Sequence, residues 1–403
     1  MKPGLARRFN RTAMSVEQDR ITRVTARMIG PMISVRIDSP TADIGPQWDD
    51  LVRRASSNVF MNPAALLVAS ETSFANIRML LAWEKDAGAP RLAGLWAVQM
   101  RRPAPFWPIV IEPLPYNYAF LSNPVVDPDY VDEVIPAFFS AIEQSPSLSR
   151  IVSLHSFDAE CPSYPAMVRD LRMRGVKPLV LAETMRPFVT RDFGLKRSGS
   201  TRKKLRQDWN RLTATGAVEV INDRSVGGAK QAFETFLALE QASWKGEEGT
   251  ALLSDPRDCA FARRLLQSLA EQGNASVALL RVNGEAIAAQ VLMYCGTTAY
   301  TWKTAFSSSS AKYSPGTLLV DKITEELLSS PHIQAINSCA AEASFMGQLW
   351  AGRRKMVDML FDLGPRRSLG YRLEAGRQLG YGELRSWRDR LRQGRSSAPG
   401  QKG

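Results

Sequence analysis

Histidine is nearly absent. The 403 residues hold two, His155 and His332, with four scattered cysteines (Cys161, Cys259, Cys295, Cys339) and no Cys-x-x-Cys pair. A disulfide framework and a zinc finger are thereby excluded, and a histidine-based triad or a histidine-ligated metal lacks the partners it needs. No cofactor metal is expected. Long apolar runs are missing too. No stretch reaches the ~18 consecutive apolar residues of a membrane-spanning helix. The arginine-rich first thirty residues contain no apolar block of the secretory kind, so the sequence reads as soluble and cytoplasmic. Low complexity is also lacking: 44% hydrophobic and 23% charged residues suit a globular chain of two or three domains.

The formal charge of +12 invites a nucleic-acid partner, but its placement argues against one. Residues 1–27 carry an excess of five positive charges and residues 366–403 an excess of seven, which leaves residues 28–365 neutral. Basic tails suit peripheral contact with anionic lipid at the inner membrane face. One basic run stands inside the neutral body, from Arg197 to Arg206.

Periodicity divides the body into two similar halves. In the first, strand patterns at Ile33–Ile37, Ile77–Trp83 and Leu92–Met100 surround helical segments at Trp48–Ala55 and Pro63–Ser70. The proline- and aromatic-rich stretch Arg102–Pro115 reads as an irregular insertion or an edge strand. A helix at Tyr130–Ile142 and a strand at Arg150–Ser156 follow. In the second, helices at Ala229–Trp244 and Asp258–Gln272 precede a hairpin. Its strands, Ser276–Val282 and Ala286–Tyr294, flank Asn283-Gly284, the strongest turn signal in the chain. A strand at Thr298–Phe306, a helix at Ser314–Ser329 and a strand at Ile333–Ser338 complete it. The expected organisation is a basic tail (1–30), an α+β domain (31–190), a second α+β domain (191–362) and a basic extension (363–403).

The sharpest local feature is Lys312-Tyr313-Ser314-Pro315-Gly316-Thr317. Ser314 is a favoured helix cap and Pro315 a favoured first helical residue. Gly316 clears space for a ligand, and free amides with the helix dipole make an anion site. A capped helix start with no ligand fits the same residues. On the helix Ala229–Trp244, Phe233, Phe236, Leu237, Glu240 and Trp244 share one face. A carboxylate in that stripe suits a general base, or else pairs with Lys245 at the rim.

The segment from Ser200 to about Trp350 resembles the acetyltransferase domain of CelD/BcsL-type proteins, a branch of the GNAT acyl-CoA transferase superfamily. The Thr201–Arg211 run, Phe236-Leu237-Ala238-Leu239-Glu240 with Trp244, and the Asn283-Gly284 hairpin with Ile287-Ala288-Ala289 carry the likeness. Ala305-Phe306 followed by Tyr313-Ser314-Pro315-Gly316 completes it. The resemblance implies two tandem GNAT-like domains, mixed sheets flanked by helices, as in the peptidoglycan Fem-type transferases. It implies transfer of an acyl group, acetyl or longer, from coenzyme A to an amine or hydroxyl of an envelope polysaccharide, lipid or peptide. Lys312, Ser314, Gly316 and Thr317 would then bind the cosubstrate's pyrophosphate, Glu240 would act as base and Tyr313 as the acid for the leaving thiolate. A backbone N–H of the Ala286–Tyr294 strand would polarise the thioester. After the closing strand the chain departs from the family pattern, reading Asn337-Ser338-Cys339-Ala340-Ala341-Glu342. That departure leaves two other readings open: a GNAT-fold protein that supports exopolysaccharide production without catalysis, and a Fem-like transferase that uses aminoacyl-tRNA.

Overall fold

The computed structural model describes residues 33–85, 90–196 and 199–396. The N-terminal tail, Arg197 and Ser198 of the basic run, and the last seven residues lie outside the described residues. The first half runs β1 (Ile33–Asp38), α1 (Gly45–Val52), α2 (Pro63–Glu71), β2 (Ile77–Glu84), β3 (Arg91–Arg101), β4 (Val110–Glu112) and β5 (Val125–Val126). It continues with α3 (Val131–Gln144), β6 (Ile151–Asp158), α4 (Ser163–Met173) and β7 (Leu179–Thr190). The second half has α5 (Ser200–Thr213), β8 (Val218–Ile221), α6 (Val226–Gln241), α7 (Trp244–Glu247), α8 (Pro256–Glu271), β9 (Ala275–Val282), β10 (Glu285–Cys295) and β11 (Thr298–Phe306). Then come α9 (Pro315–Ser329), β12 (Ala335–Asn337), α10 (Phe345–Leu349), β13 (Arg353–Asp362) and α11 (Leu369–Ser396).

Local chemistry explains the clearest elements. Asp255 caps α8 by accepting from the Arg257 amide at 2.7 Å, with Pro256 as first helical residue. Cys259, Ala262, Leu266, Leu269 and Ala270 then place one apolar stripe on the core. Asn283 and Gly284 both have positive φ, 49° and 84°, which a two-residue hairpin turn requires.

All thirteen strands join one sheet in the order β1-β2-β3-β4-β6-β13-β7-β12-β11-β10-β9-β8, with β5 on β3. β4 lies inside the sheet with all three residues buried, so the proline-rich stretch leads into an interior strand and not an edge. Two strands tie the halves together. β13, near the end of the chain, inserts between β6 and β7 of the first half, and the last residues of β7 pair with β12 of the second. Each half also opens a splay between parallel strands. β4 meets β6 only at Ile111↔Val152, and β11 follows β12 for three residues before running on to Phe306 paired with β10 alone.

The halves share a core. Phe74 of the first stacks on Phe261 of α8, with ring centres 4.1 Å apart, and Phe60 meets Tyr300 of β11 edge-on at 5.9 Å. A second core lies beneath α5, α9 and α10, built on Leu205, Leu212, Leu319, Ile323, Ile336 and Trp350.

Candidate active site

Burial fixes α9 against β11. Leu318, Leu319, Val320, Ile323 and Leu327 are all buried, which aims the start of the helix at the splay beyond β12. Ser314 stands at the cap position, but not as its sequence suggests. Its φ and ψ are 52° and 47°, left-handed, and its hydroxyl makes no capping bond. A side-chain cap needs extended backbone at that residue, and the one-turn 3-10 segment Ser308–Tyr313 delivers the chain at a different angle. The Ser314 carbonyl instead accepts from the Thr317 and Leu318 amides at 3.0 and 3.1 Å. Pro315 has no N–H, so the Gly316 amide is left as a donor without a partner among the described residues. No carboxylate sits in the first turn, which keeps the positive end of the dipole available to an anion.

Gly316 answers a packing need. A Cβ there would stand 3.3 Å from Cδ1 of Phe306 and 3.5 Å from Cγ2 of Thr304, so glycine lets the helix start lie on β11. Thr317 is half-buried and Lys312 exposed. Tyr313 is half-buried, its ring flanked by the Lys312 ammonium at 5.0 Å and the Arg211 guanidinium at 5.6 Å.

The strand expected to offer a backbone N–H is a central one. β10 pairs with β9 on one side and β11 on the other, so ladder bonds engage it on both edges. β10 has an extra residue of its own, Ile287, against β9, and a second irregular position lies on β11. There the register steps from Leu292↔Thr301 to Val291↔Lys303, leaving Trp302 as the extra residue. Beyond Tyr300 that strand has no neighbour on the β12 side, and side chains replace the missing ladder. Gln290 donates to the Lys303 carbonyl at 3.0 Å and Lys245 to the Thr304 carbonyl at 3.2 Å.

Glu240 organises this edge. The side chain is fully buried and its carboxylate holds three donors: the Lys245 ammonium at 3.0 Å, the Lys303 ammonium at 3.4 Å and the Leu252 amide at 2.9 Å. Glu240 does pair with Lys245, but inside the protein and not at a rim. Sequence reasoning passed over Lys303, because alternation on the strand set it against Trp302 with no cue to a buried carboxylate. Burial lowers the Lys303 ammonium below the ordinary lysine range, with Lys245 adding to the effect and Glu240 opposing it. Its Nζ also lies 4.9 Å from the ring of Tyr118, whose hydroxyl donates to Asp258. Thr304 links the two features: its carbonyl meets Lys245 and its methyl faces Gly316.

Other candidates sit elsewhere. Arg202 of the basic run pairs with Asp321 of α9 at 2.5 Å, while Arg206 opens onto a cavity of about 550 Å³ between α5 and α9. A second cavity, of about 690 Å³, lies at the seam of the halves beside Asp158, Arg354, Tyr300 and Asn337. Cys339 is buried and its thiol is pushed up to about 12 by burial, far from a reactive thiolate. His155 meets the Ser153 hydroxyl at 3.0 Å, but Ser153 is fully buried and receives Gln378 of α11 at 2.9 Å, so the pair docks that helix. Among the described residues no group of three His, Cys, Asp or Glu side chains could hold a metal ion.

Residues 199–337, about a third of the chain, match the family described as an acetyltransferase (GNAT) domain. The second half therefore carries a segment that matches a GNAT acetyltransferase domain, and the whole chain is an α+β fold with a mixed sheet flanked by helices. In the solved structure of FemX, 96% of that chain aligns with 80% of this one at 11% identity and a TM-score of 0.57. The structure of L-PGS from Bacillus licheniformis aligns over 98% of its length and 87% of this chain, with 15% identity and a TM-score of 0.49. A tandem GNAT protein from the clavulanic acid biosynthesis pathway aligns over 100% of its length and 83% of this chain, with 12% identity and a TM-score of 0.46. At such identities the FemX likeness concerns fold alone. No curated protein matches the sequence.

Proposed function

We propose that the chain is an acyl-CoA-dependent acyltransferase that moves an acyl group, acetyl or longer, to an amine or hydroxyl of an envelope polysaccharide, lipid or peptide, as in the CelD/BcsL branch. The observation that carries this reading is the start of α9. Within the GNAT-matched segment, a fifteen-residue helix begins without a side-chain cap or a first-turn carboxylate. The free Gly316 amide, the Thr317 hydroxyl and the Lys312 ammonium fit a pyrophosphate there. Coenzyme A, when bound, supplies the activated thioester. The open edge of β11 around the Trp302 bulge is the place for its carbonyl to find a backbone donor.

Proton transfer falls to the Glu240–Lys303 pair in this reading. Glu240 holds Lys303 beside the open strand, and burial makes that ammonium easier to deprotonate than an exposed one. Glu240 acts through Lys303, and Tyr313 serves as the acid for the departing thiolate. Glu240→Gln should lower turnover about 100-fold and shift the pH–rate profile while acyl-CoA affinity changes little. Release of the CoA thiol, followed with and without candidate acceptors, tests the reaction itself. A folded protein that gains no thermal stability from any acyl-CoA points to the non-catalytic reading.

Similarity to the FemX fold gives an aminoacyl-tRNA donor as the second reading. Transfer from a charged tRNA with no response to acyl-CoA would establish it in place of the first.

A further inference from the structure

The proline-rich segment between β3 and β4 ends in an unusual arrangement. Phe106 is fully exposed, at 101% of its reference area, and its backbone is left-handed with φ of 63°, a conformation bulky residues rarely adopt. The loop that presents it is anchored on both sides. Arg102 donates to the Trp107 carbonyl at 3.0 Å, and the Trp107 indole donates to Glu374 of α11 at 2.9 Å. Pro108 lies so close to α11 that a Cβ on Gly370 would stand 3.0 Å from it. Loop and helix therefore form one unit.

The outer face of that unit is apolar and cationic together. Leu369 and Leu373, one turn apart on α11, are 73% and 44% exposed. Arg102, Arg366, Arg367 and Arg372 are exposed around them. Around the loop and the first turns of α11 the carboxylates are withdrawn: Glu112, Asp362 and Glu374 are buried, engaged by Arg101, by the Gly364 and Ser368 amides, and by Arg377. A projecting aromatic, exposed leucines and unopposed arginines on one face complement a surface that is apolar inside and anionic at its headgroups.

We infer that the Phe106 loop and the first turns of α11 dock the protein on anionic phospholipid, with Phe106 inserted at the headgroup–acyl boundary and the arginines on the phosphates. The inference does not depend on acyl transfer, since vesicle binding is read without turnover.

Flotation of the full chain with vesicles of phosphatidylcholine, alone or mixed with phosphatidylglycerol, is the test. Binding should require phosphatidylglycerol and weaken with salt. Phe106→Ser should reduce partition about 10-fold, and Arg366→Glu/Arg367→Glu/Arg372→Glu about 100-fold. Phe106→Ser leaves both basic tails intact, so partition of that variant equal to the parent protein's would assign attachment to the tails and overturn the proposal. Phe106→Trp supplies a direct probe: its emission should shift to the blue and be quenched by brominated lipid. No shift on vesicles that bind the protein would also overturn it. So would binding of an RNA oligomer or self-association, lost in Phe106→Ser, in a protein that ignores vesicles.

Discussion

The two halves repeat one architecture and treat the same helix end in opposite ways. In the first, the approach to α3 is closed by the chain itself. Asp127 is buried, accepts from the Asp129 amide, and pairs with Arg54 at 2.6 Å and Arg91 at 3.2 Å. Asp132 and Glu133 then occupy the first turn. In the second, α9 starts from a left-handed Ser314 with no capping side chain and no first-turn acid. A helix start that carries its own carboxylates repels a phosphate, and one that leaves an amide free attracts it. In the proposed function, the first half is then scaffold and the second receives the anionic cosubstrate.

Glu240→Ala should give the largest effect on this contrast. It strands two half-buried ammonium groups and the buried Leu252 amide, so denaturant unfolding should show a loss of about 3 kcal/mol. Glu240→Gln should lose less. Next comes Asp127→Ala, which frees Arg54 and Arg91 and should cost about 2 kcal/mol. If the first half is scaffold, the thermal shift produced by acetyl-CoA in this variant should equal that of the parent. A changed shift would give the first half a part in binding.

The smallest effect concerns α11, which pins the first half through Glu374. Burial pushes that carboxyl up, but hydrogen bonds from Arg377, Gln378 and Trp107 outweigh it and hold it below the ordinary glutamate value. Its folded value is the lower one, so its stabilisation is complete above the unfolded value of about 4.3 and fades as pH falls below that. Hydrogen exchange should show α11 loosening below about pH 4 while α9 stays protected. Glu374→Gln should remove that pH dependence at a cost of about 1 kcal/mol.

Local signals carried much of the fold. The Asn283-Gly284 hairpin, the α8 stripe and the Ser314-Pro315 helix start are each written within a few residues, and each stands where the spacing placed it. β7 and β13 went unread. They are the strands that join the halves, and β7 shows no regular alternation, with Glu183, Thr184 and Met185 exposed in a row before buried Arg186 and Pro187, so its partners and not its own pattern decide its state. The site shows the same limit. Helical phase put Glu240 on the buried face and near Lys245, but Lys303, the second lysine on its carboxylate, comes from β11. Gly316 could be read as ligand clearance until Phe306, ten residues earlier, was seen against it. The left-handed turn at Ser314 has no signature in a Ser-Pro-Gly string.

Thr317→Asp is the most direct test, because it gives α9 the first-turn acid that α3 already has. A carboxylate at a helix start stabilises the helix, so the unliganded melting temperature should hold or rise slightly. Acetyl-CoA at ~100 times its dissociation constant should stabilise the parent by about 2.7 kcal/mol. In Thr317→Asp about half of that gain or more should vanish, with affinity down about 10-fold or more. An undiminished thermal shift in the folded variant would place the pyrophosphate elsewhere and contradict the role assigned to the start of α9.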